Sequence, residues 1–188
     1  MKPIEIAEIK NIADYELYRP DWRPTVLALK DRRRIRVGDH LTFLFENRET
    51  VRYQIQEMMR IERITRPEDI AHEVKTYNEL IPEQGELSAS LLIEYETPEQ
   101  RDVWLRKLLG LEHHIWMEIA RARSKARFDT RQISTDRLSS VQYVKFRLTP
   151  EQVSRFSQGA TIIVDHPDYR AEQALSPRQL AELALDLQ

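Results

Sequence analysis

The residues best suited to chemistry lie in the segment 45–64, FENRETVRYQIQEMMRIERI, whose spacing predicts an amphipathic helix. At about 100° per residue, its apolar side chains share one arc of the helix surface: Val51, Ile55, Met58 and Met59. Glu62 falls near the middle of that arc, and Arg48 falls beside it. A carboxylate is costly to bury unless it is paired, neutralised or bound to a metal ion, so this helix is the first place to look for a site.

Two interpretations of Glu62 are open. In the first, the helix ends before Pro67, and Glu62 turns outward or pairs with an arginine at the rim. In the second, Glu57 and Glu62 converge with His166 as acid–base groups or as ligands of a divalent metal: iron, manganese or zinc. His166 suits both roles because it follows a predicted strand beside Asp165, although the stretch VDHPDY also has the composition of a tight turn.

The elements that must position these residues begin with a β-hairpin. Its strands are predicted near 33–37 and 41–45, and Asn47 then caps the helix described above. Pro67 marks the start of a second amphipathic helix over 68–80.

Two similar capping motifs organise the middle of the chain. The sequence TPEQ occurs at 97–100 and again at 149–152, each time after a strand-like segment. Its threonine caps a helix, its proline takes the first helical position, and its glutamine can accept a hydrogen bond from the backbone N–H of the threonine. Residues 87–165 therefore have the β-α-β-β-α-β order of a ferredoxin-like fold, with 124–136 as the long connection between its halves. SPRQ at 176–179 opens a C-terminal helix.

The predicted fold class is thus α+β: an antiparallel or mixed sheet with helices on one face, built on a ferredoxin-like core that follows a hairpin and two helices. We expect a single domain over 1–188, in which a helical and hairpin region (1–82) precedes the α+β core (83–170) and the C-terminal helix (171–188).

Composition excludes several classes of protein. The chain has no cysteine, which excludes disulfides, thiolate metal sites and cysteine nucleophiles. Its formal charge of −2 argues against a dominant polyanion-binding face, but the arginine-rich stretches 30–36 and 121–131 keep RNA binding open as an alternative. No apolar run approaches the roughly 20 residues of a membrane span. We expect a cytoplasmic protein without a membrane partner, and homo-oligomer formation stays open.

The chain as a whole resembles a bacterial family, the domain of unknown function 3501, in five stretches. These are ALKDRRRIRVG (28–38), LTFLFENRETVRYQIQEMMRIER (41–63), YNELIP (77–82), LLIEYE (91–96) and DHPDY (165–169). The polar positions of the family's pattern fall here on Glu46, Asn47, Arg48, Gln54, Gln56, Glu57, Arg60, Glu62, Asp165 and His166. The resemblance implies that these residues form a hydrogen-bonded network or a site.

The resemblance also implies a biological setting, because members of this family are often encoded beside rubrerythrin-like di-iron proteins and iron–sulfur oxidoreductase subunits. The function it implies is that of a non-catalytic accessory or interaction protein in an iron-dependent redox or oxidative-stress system, with such a protein as partner. The alternatives are a metal-binding protein or metal-dependent enzyme that uses Glu57, Glu62 and His166, and an RNA-binding protein.

Overall fold

The computed structural model describes residues 1–188, apart from the side chain of Gln132. The strands are β1 (Arg34–Val37), β2 (Leu41–Glu46), β3 (Glu86–Ile93), β4 (Ile115–Ile119), β5 (Ala122–Phe128), β6 (Val141–Arg147), β7 (Thr161–His166) and β8 (Tyr169–Ala174). The α-helices are α1 (Ile12–Arg32), α2 (Arg48–Glu62), α3 (Pro67–Asn78), α4 (Pro98–Lys107), α5 (Pro150–Arg155) and α6 (Pro177–Ala184). The strands form one antiparallel sheet in the order β1-β2-β3-β6-β5-β4-β7-β8.

The sheet curls until its two edge strands meet, which makes a nearly closed barrel. Tyr169, at the start of β8, donates a hydrogen bond of 2.7 Å to the Val37 carbonyl and accepts one of 3.1 Å from the His40 amide. Gly38 has a φ of +65° and lies directly against the Tyr169 ring, so any side chain there would collide with the closure. The interior is filled with apolar side chains, including three phenylalanines: Phe43, Phe45 and Phe146.

Helices α2 and α3 lie over the outer face of the sheet, and α1 packs against α2. The predicted arc of α2 is buried there, with Val51, Ile55 and Met59 packed against Val74 of α3 and Ile4 of the N-terminal segment. A second apolar cluster joins α1 to α2 through four side chains: Tyr15, Trp22, Val26 and Tyr53. No helix in the described part of the chain is long and apolar enough to cross a membrane.

The prediction of a ferredoxin-like core is wrong, although the α+β class is correct. The four strands that a ferredoxin-like core would need, β3, β4, β6 and β7, do not form a sheet of their own. Strand β5 lies between β6 and β4, and the sheet continues beyond these strands on both sides until it nearly closes into a barrel. The hairpin of β1 and β2 also belongs to this same sheet. Capping motifs show that a helix follows a strand, but they do not show which strands pair.

The predicted long connection over 124–136 is likewise wrong, because residues 124–128 lie in strand β5. The inward-facing residues of β5 include Ser124 and Ala126, while Arg123, Lys125 and Arg127 face outward. Because serine and alanine are small and only weakly apolar, the sequence of β5 does not show the alternation of apolar and polar residues that is typical of a strand.

Candidate functional site

A long cleft lies between the sheet and the helices that cover it. Its floor includes the outer face of β3, where ELSASLLI alternates apolar residues toward the barrel interior with Ser88 and Ser90 on the outside. Because these serine side chains are short, α2 and α3 do not fill the space above them. We call the larger part, of about 900 Å³, the outer cleft, and the adjoining part, of about 330 Å³, the inner chamber.

Charged side chains line the outer cleft, and most of them neutralise one another. Its cations are each paired with a carboxylate of the cleft: Arg127 and Lys145 with Glu86, Arg131 with Glu79 and Asp129, and Arg147 with Glu83. Glu62 and Glu73 line the same cleft and have no ion pair among the described side chains. The uncompensated charge of the outer cleft is therefore negative.

Glu62 turns outward, as the first interpretation predicted. It is the last residue of α2, and Arg63 then takes a left-handed conformation with a φ of 54° that ends the helix. Glu62 is exposed at the rim of the outer cleft.

Two tyrosines line both the outer cleft and the inner chamber. Burial raises the pKa of Tyr77, and the nearby carboxylates of Glu73 and Glu62 add to that rise. Burial also raises the pKa of Tyr143, with a further contribution from the charge of Glu46. The two hydroxyls therefore stay protonated at neutral pH and can donate hydrogen bonds to a ligand in either space.

Glu46 lies at the end of β2 and lines the inner chamber, where it is only 6% exposed. Its carboxylate accepts hydrogen bonds from the hydroxyls of Ser90, at 2.7 Å, and Thr50. Glu46 forms no ion pair with any described side chain. Arg33 donates to the Glu46 main-chain carbonyl at 3.2 Å, but the charge of Arg33 is taken up by Glu182 and Asp186.

Glu57, on the face of α2 that meets α1, is fully engaged. It accepts hydrogen bonds of 2.7 Å from the Tyr15 hydroxyl and from Arg19 Nε, and Arg60 lies 3.6 Å away. Burial alone would raise the pKa of Glu57, but the hydrogen bonds from Arg19 and Tyr15 outweigh it and hold the pKa below its usual range. Glu57 thus joins α1 to α2.

Three further residues of the family pattern also hold the fold together. Asn47 caps α2 by accepting hydrogen bonds of 3.0 Å from the amides of Glu49 and Thr50. Gln56 holds the N-terminal segment against α2, because its side-chain amide forms hydrogen bonds with both the N–H and the carbonyl of Lys10, at 2.8 and 3.1 Å. Arg48 binds the same segment through the Glu8 carboxylate.

The comparisons with known proteins concern the chain as a whole. Residues 3–187 match the family described as protein of unknown function (DUF3501). The chain belongs to this family. It is similar to a novel protein of unknown function from Burkholderia pseudomallei K96243, whose crystal structure matches with a TM-score of 0.93, 30% sequence identity and coverage of 100% of both chains. No curated protein matches the chain.

In this family member, Asp165 and His166 lie on the β7–β8 hairpin. The amide of Asp168 donates to His166 Nδ1 at 3.2 Å, so the proton of the neutral ring is on Nε2, which donates to the Leu109 carbonyl at 3.1 Å. Asp165 accepts from His114 at 3.1 Å and from Trp116 at 3.3 Å. The stretch forms the tight turn that its composition also indicated.

The structure does not bring Glu57, Glu62 and His166 together. Glu57 faces α1, Glu62 faces the outer cleft, and His166 bonds the main chain near the end of β7. Within the described residues, no three His, Asp or Glu side chains are grouped so that they could hold a metal ion.

Sequence reasoning identified Glu46 and Gln54 of the inner chamber but missed Glu73, Ser88 and Ser90. A signal was present, because the two serines alternate with apolar residues in a strand whose outer face lies under a helix. Polar residues on a covered face indicate either a hydrogen-bonded network or a cavity. Here they indicate both.

Proposed function

We propose that this protein is a non-catalytic accessory protein that binds a positively charged, extended segment of a partner protein in the outer cleft. The observation that carries the proposal is that Glu62 and Glu73 have no ion pair among the described side chains, in a cleft whose cations are all paired with other carboxylates. Complementary charge across an interface steers association and selects the partner.

The shape of the cleft favours an extended segment. The outward residues of β6 from Tyr143 to Arg147 extend along the floor of the outer cleft. At about 3.4 Å per residue this floor is roughly 14 Å long, the length of about four extended residues. Apolar parts of Met58, Leu80 and Phe128 line the walls and suit the aliphatic stems of lysine and arginine.

The class of partner is taken from the setting that the family resemblance implies, in which such proteins are encoded nearby. The partner we propose is a rubrerythrin-like di-iron protein or an iron–sulfur oxidoreductase subunit, which would make this protein an accessory factor of an iron-dependent redox or oxidative-stress system. The metal-dependent and RNA-binding alternatives stay predictions, and the second has less support because Arg127 and Arg131 are engaged by carboxylates.

Calorimetric titration with two synthetic eight-residue peptides tests the proposal, one alternating lysine with alanine and the other alternating glutamate with alanine. We expect the lysine peptide to bind and the glutamate peptide not to bind. Glu73→Gln should weaken binding by roughly 3- to 5-fold at low salt, because an exposed charge contact contributes modestly. Glu68→Gln, an exposed glutamate on the same helix that does not line the cleft, is the matched control.

The partner class is tested with a purified rubrerythrin-like protein from the same organism. Binding that is lost in the double variant Glu62→Gln/Glu73→Gln, but kept in Glu68→Gln, would support the proposal. Equal binding of lysine and glutamate peptides, or partner binding that the double variant does not change, would contradict it.

A further inference from the structure

The inner chamber contains three unpaired charges of both signs, which the proposal for the outer cleft does not use. Lys30 and Arg34 line it together with Glu46, and none of the three is ion-paired to a described side chain. The rest of the lining is apolar or able to form hydrogen bonds. The apolar residues are Leu44, Val51, Leu80, Leu92 and Val141.

Glu46 is the strongest feature of the chamber. A carboxylate has about four lone-pair sites, and the hydroxyls of Ser90 and Thr50 occupy only two of them. A charge that is 6% exposed and lacks a cation is costly to hold unless a ligand completes it. An ammonium group supplies both the missing charge and the missing N–H donors.

The two cations of the chamber, Lys30 and Arg34, lie where they can bind an anionic group of a ligand whose ammonium group pairs with Glu46. Arg34 is opposite Leu44 in the β1–β2 ladder, so it is the diagonal neighbour of Glu46 on the outer face, at roughly 7–8 Å between backbones. That separation leaves room for a small group between the guanidinium and the carboxylate. Lys30 is held nearby, with its ammonium 5.5 Å from the centre of the Tyr53 ring.

We infer that the inner chamber is a binding site for a free amino acid, whose ammonium group pairs with Glu46 and whose carboxylate pairs with Arg34 and Lys30. The apolar walls then contact an aliphatic side chain. The volume of about 330 Å³ is at the small end of ligand pockets and suits a molecule of this size. Gln54, Tyr77 and Tyr143 provide the remaining hydrogen bonds.

The test is calorimetric titration of the full chain with L-leucine, N-acetyl-L-leucine and L-leucine methyl ester. Blocking either charge of the ligand should weaken binding at least about 10-fold, because each removes a charge-assisted contact. Glu46→Gln should weaken leucine binding by a similar factor and abolish the preference for leucine over its N-acetyl form. Arg34→Met should abolish the preference for leucine over its methyl ester.

The controls keep the result interpretable. Arg36→Met changes an exposed arginine of the same strand that does not line the chamber, and it should bind leucine like the wild type. Leu92→Trp fills the chamber, leaves Glu46 unchanged and should abolish leucine binding. This variant tests the site even if Glu46→Gln folds poorly. Equal binding of leucine and its blocked forms would overturn the inference, as would the absence of any thermal shift with all twenty common amino acids. Peptide binding in the outer cleft is scored separately through Glu73, so either proposal can fail alone.

Discussion

Glu57 and Glu46 are two largely buried carboxylates, one within helix α2 and the other just before it, and their surroundings differ sharply. Glu57 has a tyrosine hydroxyl and two arginines around it, and its side chain is 14% exposed. Glu46 is more deeply buried, and among the described side chains it has two hydroxyl donors but no cation. The first carboxylate is complete within the protein, and the second is not.

The difference distinguishes two kinds of buried carboxylate within a single polar pattern. A carboxylate whose charge and lone pairs are satisfied by its own chain stabilises the packing of two helices. A buried carboxylate that lacks a cation costs stability, and a ligand that supplies the positive charge would remove that cost. The pattern that the resemblance implies includes both residues, so only their contacts tell them apart.

The largest effect is expected when Glu57 is removed. Glu57→Ala leaves Tyr15 and Arg19 without their shared partner at the α1–α2 joint, and it should lower the free energy of unfolding by about 3 kcal/mol. Urea denaturation at pH 7 measures this, with Glu68→Ala as the exposed control, expected within about 0.5 kcal/mol of the wild type. A loss no greater than that of the control would show that the joint does not depend on Glu57.

The second effect is the pH dependence of this contribution. The pKa of Glu57 is lowered in the folded state, so the stability that it supplies is complete above the ordinary value near 4.5 and is lost as the pH falls through the lowered pKa. The stability difference between wild type and Glu57→Gln should therefore be constant at neutral pH and shrink below about pH 4. A difference that grows on acidification would contradict the assigned direction.

Removing only the tyrosine hydroxyl should have a smaller effect. Tyr15→Phe keeps the ring in the aromatic cluster and deletes one hydrogen bond to Glu57, which should cost about 1 kcal/mol. Thermal unfolding of this variant against Tyr18→Phe, whose ring also contacts Trp22 on α1, gives the comparison. A loss as large as that of Glu57→Ala would mean that the ring, rather than the hydrogen bond, has been disturbed.

The smallest change in stability is expected at Glu46. Glu46→Gln keeps the shape and the acceptor for Ser90, and the Thr50 hydroxyl, which also donates to the Asn47 carbonyl at 3.1 Å, can accept from the new amide group. Because the substitution also removes an uncompensated charge, the free energy of unfolding should stay within about 1 kcal/mol of the wild type. The pKa of Tyr143 should fall in this variant, because the charge of Glu46 contributes to raising it. Absorbance titration of tyrosine follows that change, and a destabilisation of several kcal/mol would place Glu46 with Glu57 as a structural residue.

Local signals accounted for the parts of the fold that were predicted well. The hairpin, α2 and α3 appear close to their predicted positions, because short-range periodicity and caps such as Asn47 act within a few residues. Helix α1 was not predicted. It contains Pro20 and Pro24, each of which removes a helical hydrogen bond, and the packing of its aromatic face against α2 holds it in place. The topology was missed because strand pairing depends on which distant segments meet.

By itself, the sequence determined the family, the α+β composition, the caps and the apolar face of α2. Only the tertiary structure decided that Ser90, 44 residues from Glu46 in the chain, donates a hydrogen bond to the Glu46 carboxylate. Among the described side chains, Arg19 pairs with Glu57, whereas no arginine pairs with the carboxylate of Glu46. The physical reason is that the energy of a charge depends on its distance in space to other charges and donors and on its exposure to water. Neither quantity can be read from residue spacing, because both depend on how the sheet closes and where the helices lie across it.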